Sequence, residues 1–225
     1  MPTAKDIVRN ARHRELLRER QAGETLRSVF LLDGAHVAKR FRFPVSSPSH
    51  RRPWIAEHEA LTRLDGAGAP RTFGWFDEIE GDQRVVWLVK EYVVGSPLAS
   101  FVVADVPAAA RLMARIHECR IVTDDANPGN FIRTPDGRLA FLDFGRAKGF
   151  ASSDPRFQLF VGWELAKLRR EGFRWNADLW NAFLPLYFQA RPSSMARRTL
   201  VLAACSASAA LRKARKMSQG KSPRS

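Results

Sequence analysis

The sequence is strand-like from Leu26 to Leu32 and again from Ala35 to Phe41, with Asp33-Gly34 between the two stretches. Period-two alternation marks a strand with one buried face, and an Asp-Gly pair suits a two-residue hairpin turn. On the second strand Val37, Lys39 and Phe41 share a face, which sets one lysine into an otherwise apolar surface. Arg71 to Glu78 and Val85 to Val93 repeat the pattern around Gly81-Asp82, so a small antiparallel sheet of up to five strands is expected. Helical spacing takes over elsewhere. Trp54, Leu61 and Leu64 recur on one face of a helix over Trp54 to Asp65, closed by Gly66, and Glu57 lies on that same face. Val106 to Cys119 carries a stripe of Ala110, Met113 and Ile116, and His117 near its end reads as a core or last-turn histidine. Three more helices are predicted at Phe157 to Glu171, Asn176 to Gln189 and Ser194 to Met217. At the start, Asp6 to Gln21 mixes five arginines with Ile7, Val8, Leu16 and Leu17, which predicts a basic, partly amphipathic helix suited to an anionic membrane face.

Composition changes this picture in two ways. The chain of 225 residues, 45% hydrophobic, is long enough for one large domain or two small lobes with a real core. Lys+Arg 37 against Asp+Glu 23 leaves a formal net charge of +14, so an anionic partner is expected: nucleotide, phosphorylated sugar lipid, membrane surface or nucleic acid. Cys119 and Cys205 are too few for a disulfide framework and are expected as reduced thiols. The longest apolar run, Leu200 to Leu211, is short for a membrane span and contains Ser206 and Ser208. The first residues lack the apolar core of a secretion signal, and a cytoplasmic protein is expected.

The richest chemistry lies in Thr123-Asp124-Asp125-Ala126-Asn127-Pro128-Gly129-Asn130 and in Asp143-Phe144-Gly145. Between them two short strands flank Pro135-Asp136-Gly137, so Asn130 and Asp143 should emerge together at the open end of a hairpin. An amide and a carboxylate oxygen side by side suit a hard cation such as Mg²⁺, which keeps further positions for phosphate and water. Asn127-Pro128-Gly129 folds Asp125 back towards them, where a carboxylate can orient a hydroxyl and take its proton.

The spacing D-x-x-x-x-N…D-F-G resembles the active-site loop of the protein-kinase-like superfamily, in the short form of bacterial lipopolysaccharide core (heptose or Kdo) kinases. The run Glu57 to Pro70, with its Gly-x-Pro exit, is similar to the matching helix of those enzymes. The resemblance implies a two-lobed α+β fold: an antiparallel-sheet N-lobe with one main helix (22–95) and a mostly helical C-lobe (96–217). A basic N-terminal helix (1–21) would precede them and a basic disordered tail (218–225) would follow. It also implies ATP and Mg²⁺ as cofactors and transfer of the γ-phosphoryl group to a hydroxyl of a core sugar. In that scheme Asp125 is the catalytic base and Asn130 and Asp143 hold metal. Lys39, braced by Glu57, grips the phosphates, and backbone groups of the Lys90 to Gly95 linker, Glu91 among them, meet adenine. An anionic glycolipid or sugar would be the acceptor, on the cytoplasmic face of an inner membrane, and nucleic acid is not expected as a partner.

The departures from the pattern are specific. Thr123 stands where such kinases carry a bracing histidine, Asp124 stands where they carry Arg or Gly, and only Ala22-Gly23-Glu24 represents the glycine-rich loop. Little chain remains after Asp143-Phe-Gly for an activation loop. An atypical protein or small-molecule kinase, or a non-catalytic kinase-like module that binds an anionic partner, is the alternative.

Overall fold

The first helix, α1 (Ala4–Asn10), begins at a capping box in which Thr3 Oγ1 accepts from Asp6 N and Asp6 Oδ2 accepts from Thr3 N. It stops after two turns because the carboxylate of Asp33 accepts from the Arg12 and His13 amides and draws the chain into an extended path. The computed structural model describes residues 2–47 and 52–219, those from 209 onward by backbone alone. The basic helix expected over Asp6 to Gln21 is therefore not there: α1 covers its start, and Arg14–Ala22 forms strand β1. Its arginines fit either period. The unpaired edge of the next strand decides the matter, because β1 gains a full ladder of backbone hydrogen bonds against it. Residues 14–22 thus belong to the sheet.

Strands β2 (Thr25–Leu32), β3 (His36–Pro44), β4 (Thr72–Glu80) and β5 (Gln83–Glu91) complete a five-stranded antiparallel sheet of order β1-β2-β3-β5-β4. Asp33 and Gly34 both have positive φ, 48° and 69°, as the central pair of the turn that Ala35 N closes by donating to Leu32 O. Period-two alternation gives each face its own core. One face packs Leu32, Ala38, Val85, Trp87 and Val89 under Ile7 and Val8 of α1. The other carries Phe41, Phe43, Val86 and Leu88 against Trp54 of helix α2 (Pro53–Leu64). Burying each such side chain contributes about 1.5–3 kcal/mol, so two thin cores suffice to hold a sheet this size.

Behind the sheet, α3 (Val106–Glu118), α4 (Phe157–Lys167), α5 (Ala177–Ala190) and α6 (Met195–Gln219) surround the largest core, in which Phe131, Phe141, Phe144, Phe157, Phe183 and Tyr187 are fully buried. The short strands β6 (Ser96–Pro97), β8 (Phe131–Arg133) and β9 (Leu139–Phe141) form one small sheet, and β7 (Ile121–Val122) pairs with β10 (Lys148–Gly149). The chain is thus a mixed α/β protein with a five-stranded antiparallel sheet and, among the described residues, six helices. Of the tail expected to be disordered over 218–225, residues 218 and 219 continue α6; the remainder lies outside the described residues, as does the middle of the loop expected from Val45 to Pro53. No helix among the described residues is long and apolar enough to cross a membrane, and Cys119 and Cys205 are free thiols.

Helices α4 and α6 meet at Gly162, where an added Cβ would lie 2.5 Å from Val201 O and 2.6 Å from Ala204 Cβ. Backbone cannot move aside as a side chain can. Gly162→Ala should therefore destabilise the protein by about 1–3 kcal/mol, read from the midpoint of urea denaturation.

Candidate active site

Lys39 sits at the centre of β3, opposite Val29 on β2 and Leu88 on β5, with its side chain on the face that packs against α2. Its Nζ lies 2.7 Å from Glu57 Oε2 and 3.0 Å from Asp143 Oδ1. The other oxygen of Glu57, Oε1, accepts from Lys90 Nζ at 2.7 Å, and Lys90 also donates to Leu142 O. One buried carboxylate on α2 is therefore clamped between lysines from two strands. Both lysines reach on to the end of the β8–β9 hairpin, Lys39 to Asp143 and Lys90 to the Leu142 carbonyl. Glu57 and Lys90 are 1% and 3% exposed, so each charge depends on its partner for solvation.

The electrostatics follow from this geometry. Burial works against the charge on Lys39, but Glu57 and Asp143 outweigh it and hold its pKa above the ordinary lysine range. Burial pushes the Asp143 carboxyl up, yet Lys39 overrides that and keeps it far below the usual carboxylate range. Lys90 goes the other way, because burial, only partly offset by Glu57, lowers its pKa.

The hairpin brings the expected pair together. Phe131 faces Phe141, and Leu142 N donates to Asn130 O at 2.9 Å, so Asn130 and Asp143 leave the two strands at the same end. Asn130 Nδ2 donates to Asp125 O at 2.8 Å, which leaves its Oδ1 outward. Asp143 Oδ1 accepts from Lys39 and from Gly145 N, and Oδ2 has no partner among the described residues. The carbonyl of Asp125 also accepts from the backbone N of Asn127, at 2.7 Å, so a compact turn folds Asp125 and Asn130 onto each other. Among the described residues Asn130 Oδ1 and Asp143 Oδ2 have no hydrogen-bond partner, and an amide and a carboxylate oxygen are ligand types that suit Mg²⁺. No group of three or more His, Cys, Asp or Glu side chains among the described residues could hold a metal by itself.

Two residues of α4 complete the loop, and sequence reasoning missed both. Lys167 Nζ lies 2.7 Å from Asp125 Oδ1 and donates to Asp124 O. Partial burial pushes the Asp125 carboxyl up, but Lys167 outweighs it and the pKa falls below the ordinary carboxylate value. Glu164, one turn earlier, takes the backbone amides of Thr123 and Asp124 and the Thr123 hydroxyl on Oε1, while Oε2 accepts from His117 Nε2 at 2.8 Å. Tyr187 Oη lies 2.7 Å from His117 Nδ1, and Arg191 donates to that hydroxyl. Burial lowers the pKa of His117 despite Glu164. A neutral ring that accepts from Tyr187 and donates to Glu164 satisfies every partner. His117 is a core histidine, as expected, and residues 123 and 124 are held by Glu164. The i, i+3 spacing of Glu164 and Lys167 was visible in the sequence, but nothing there tied α4 to a loop about forty residues away.

Glu91 does not join the cluster. It follows Lys90 on β5 and so points to the opposite face, where its carboxylate accepts from Arg71 N at 3.2 Å and its own N–H donates to Arg71 O. Lys90, its neighbour, supplies the buried charge.

In comparisons with known proteins, no family model matches this chain, and no curated protein matches it.

Asp143 titrates lower in the folded than in the unfolded chain, so its contribution to stability is present above about pH 4 and lost as pH falls through the folded value. The fall in urea midpoint between about pH 5 and pH 2.5 should therefore be smaller in Asp143→Asn than in the parent protein. Equal slopes would show that the group is not held ionised.

Proposed function

We propose that this protein is a phosphotransferase of two-lobed, protein-kinase-like architecture that moves the γ-phosphoryl group of ATP to a hydroxyl of an anionic sugar of the lipopolysaccharide-core kind. The observation that carries the reading is the convergence of Lys39, Glu57, Asp143, Asn130 and Asp125 from four separate chain segments around one end of a hairpin. Structural ion pairs alone give no reason for a free oxygen on both Asn130 and Asp143, nor for a carboxylate held ionised next to them. The +14 charge and the likeness of residues 57–70 to lipopolysaccharide core kinases support an anionic sugar acceptor, with the protein working in the cytoplasm.

In this scheme Asn130 and Asp143 hold Mg²⁺, which supplies neutralisation of phosphate charge. Lys39, fixed by Glu57, binds phosphate oxygens on the donor side. Asp125 accepts a hydrogen bond from the acceptor hydroxyl, aligns its oxygen with the γ-phosphorus, and takes the proton as the new P–O bond forms and the bond to the β-phosphate oxygen breaks. Lys167 keeps Asp125 ionised for that role and sets its direction. The backbone groups of residues 91–95 lie at the linker end of β5, where a planar base would be received.

Asp125→Ala should lower labelled-phosphate transfer by about 100- to 10,000-fold while Mg-ATP binding stays close to the parent value, measured with lipopolysaccharide, protein and small-sugar acceptors side by side. Unchanged turnover in that variant removes Asp125 from its role. Lys167→Met removes the cation that depresses the Asp125 pKa, so the acid limb of the kcat/KM profile should move to higher pH. An unmoved limb would make Lys167 a structural contact only.

A further inference from the structure

Arg18 and Arg20 reach the cleft side of the sheet because β1 contains a bulge. Leu16 pairs with Phe30 on the face that carries α1, and regular alternation would return Arg18 to that same face. The register shifts between Leu16 and Arg18, however, so one extra residue is spent and the alternation inverts. Arg18 then pairs with Val29, which pairs with Lys39, and Arg20 pairs with Arg27, which pairs with Phe41. Three arginines and Lys39 thus occupy two neighbouring rows of one sheet face, around a concavity of about 140 Å³ lined also by Ser28, Val29, Arg40 and Phe41.

Some arginines elsewhere have acids, Arg84 with Asp77 and Arg133 with Asp105 among them, while Arg40 and Arg42 of the same sheet have no ion pair among the described residues. None of Arg18, Arg20 and Arg27 has an ion pair among the described residues. The nearest acid on β1, Glu19, points to the other face and accepts from Ser28 Oγ at 2.7 Å. Arg27 instead lies over the Phe41 ring, 6.0 Å from its centroid. The three arginines are exposed, so water screens their mutual repulsion, and their guanidinium groups are open to an anion whose phosphate oxygens they match two at a time. Along β3 the order from the linker end is His36, Lys39, then Phe41. A polyphosphate whose base lies at residues 91–95 would pass Lys39 first and reach the arginine rows next.

We propose that Arg18, Arg20 and Arg27 form a side-chain phosphate site that takes the terminal phosphates of the nucleotide. They would do with guanidinium groups what a glycine-rich turn does with backbone amides, and the turn between β1 and β2 here, with only Gly23, lacks that equipment. The assignment of the anion to a nucleotide rests on the phosphotransferase reading; the affinity for phosphate does not.

The test is calorimetric titration of the full chain with Mg-ATP, inorganic tripolyphosphate and adenosine, comparing the parent with R18Q/R20Q/R27Q. The triple variant should lose at least about tenfold in affinity for Mg-ATP and for tripolyphosphate, with adenosine affinity unchanged. R18K/R20K/R27K, which keeps charge but not the planar fork, should fall between the two, and it serves as the reading should the glutamine variant fold poorly. Unchanged Mg-ATP and tripolyphosphate affinity in the glutamine variant overturns the proposal. So does loss confined to the KM of a phosphorylated acceptor, which would assign the arginines to that substrate's phosphates. Failure of the phosphotransferase reading has a different signature: no transfer in the parent protein, with tripolyphosphate binding still lost in the arginine variant.

Discussion

A carboxylate that has left water must be met by positive charge or hydrogen-bond donors, or it will not stay ionised. Glu57 is such a group, and the two halves of the chain are joined through it. Its oxygens are divided between Lys39 on β3 and Lys90 on β5, and these lysines in turn reach Asp143 and the Leu142 carbonyl at the end of the β8–β9 hairpin. The sheet, α2 and the hairpin therefore have one relative position in which every charge is answered. Removing Glu57 would leave the buried Lys90 without a counter-charge, at a cost of several kcal/mol, so the cluster specifies an arrangement more than it adds to stability.

Glu164 plays the same part on the other side of the loop, and by the same physics. Its two oxygens satisfy the Thr123 and Asp124 amides and the His117 ring, and His117 passes the constraint to Tyr187 on α5. Helices α3, α4 and α5 thereby hold residues 123 to 125, with Asp124 in a left-handed conformation at φ 56°. Strain of that kind persists only where surrounding contacts over-determine it. The loop carrying Asp125 hangs from a buried carboxylate, and Lys167, one turn further along α4, is delivered to Asp125 by the same packing.

Much of the architecture was readable from local signals. Asp33-Gly34, Gly81-Asp82 and Pro135-Asp136-Gly137 each announced a turn, and the strands they join lie where alternation put them. The helices at residues 53–64, 106–118, 157–167, 177–190 and 195–219 follow their apolar stripes. The segment from Asp6 to Gln21 was misread because its charges satisfy a helical and an extended period equally well. Asp33, far along the chain, breaks the helix by accepting from the Arg12 and His13 amides, and the open edge of β2 supplies the ladder that a helix would have forgone.

The sequence by itself determined the local pieces and three of the meetings. Lys39 projects from an apolar strand face, Glu57 shares the buried stripe of its helix, and Asn130 emerges beside Asp143, because strand, helix and hairpin periodicities act over a few residues. Only the tertiary structure decided that Lys90 enters the cluster, that Glu164 and Lys167 brace the loop, and that a bulge turns Arg18 and Arg20 to the face of Lys39. Those outcomes depend on which face of each element is buried and on contacts between residues tens of positions apart, where packing and charge compensation, not chain proximity, choose the partner.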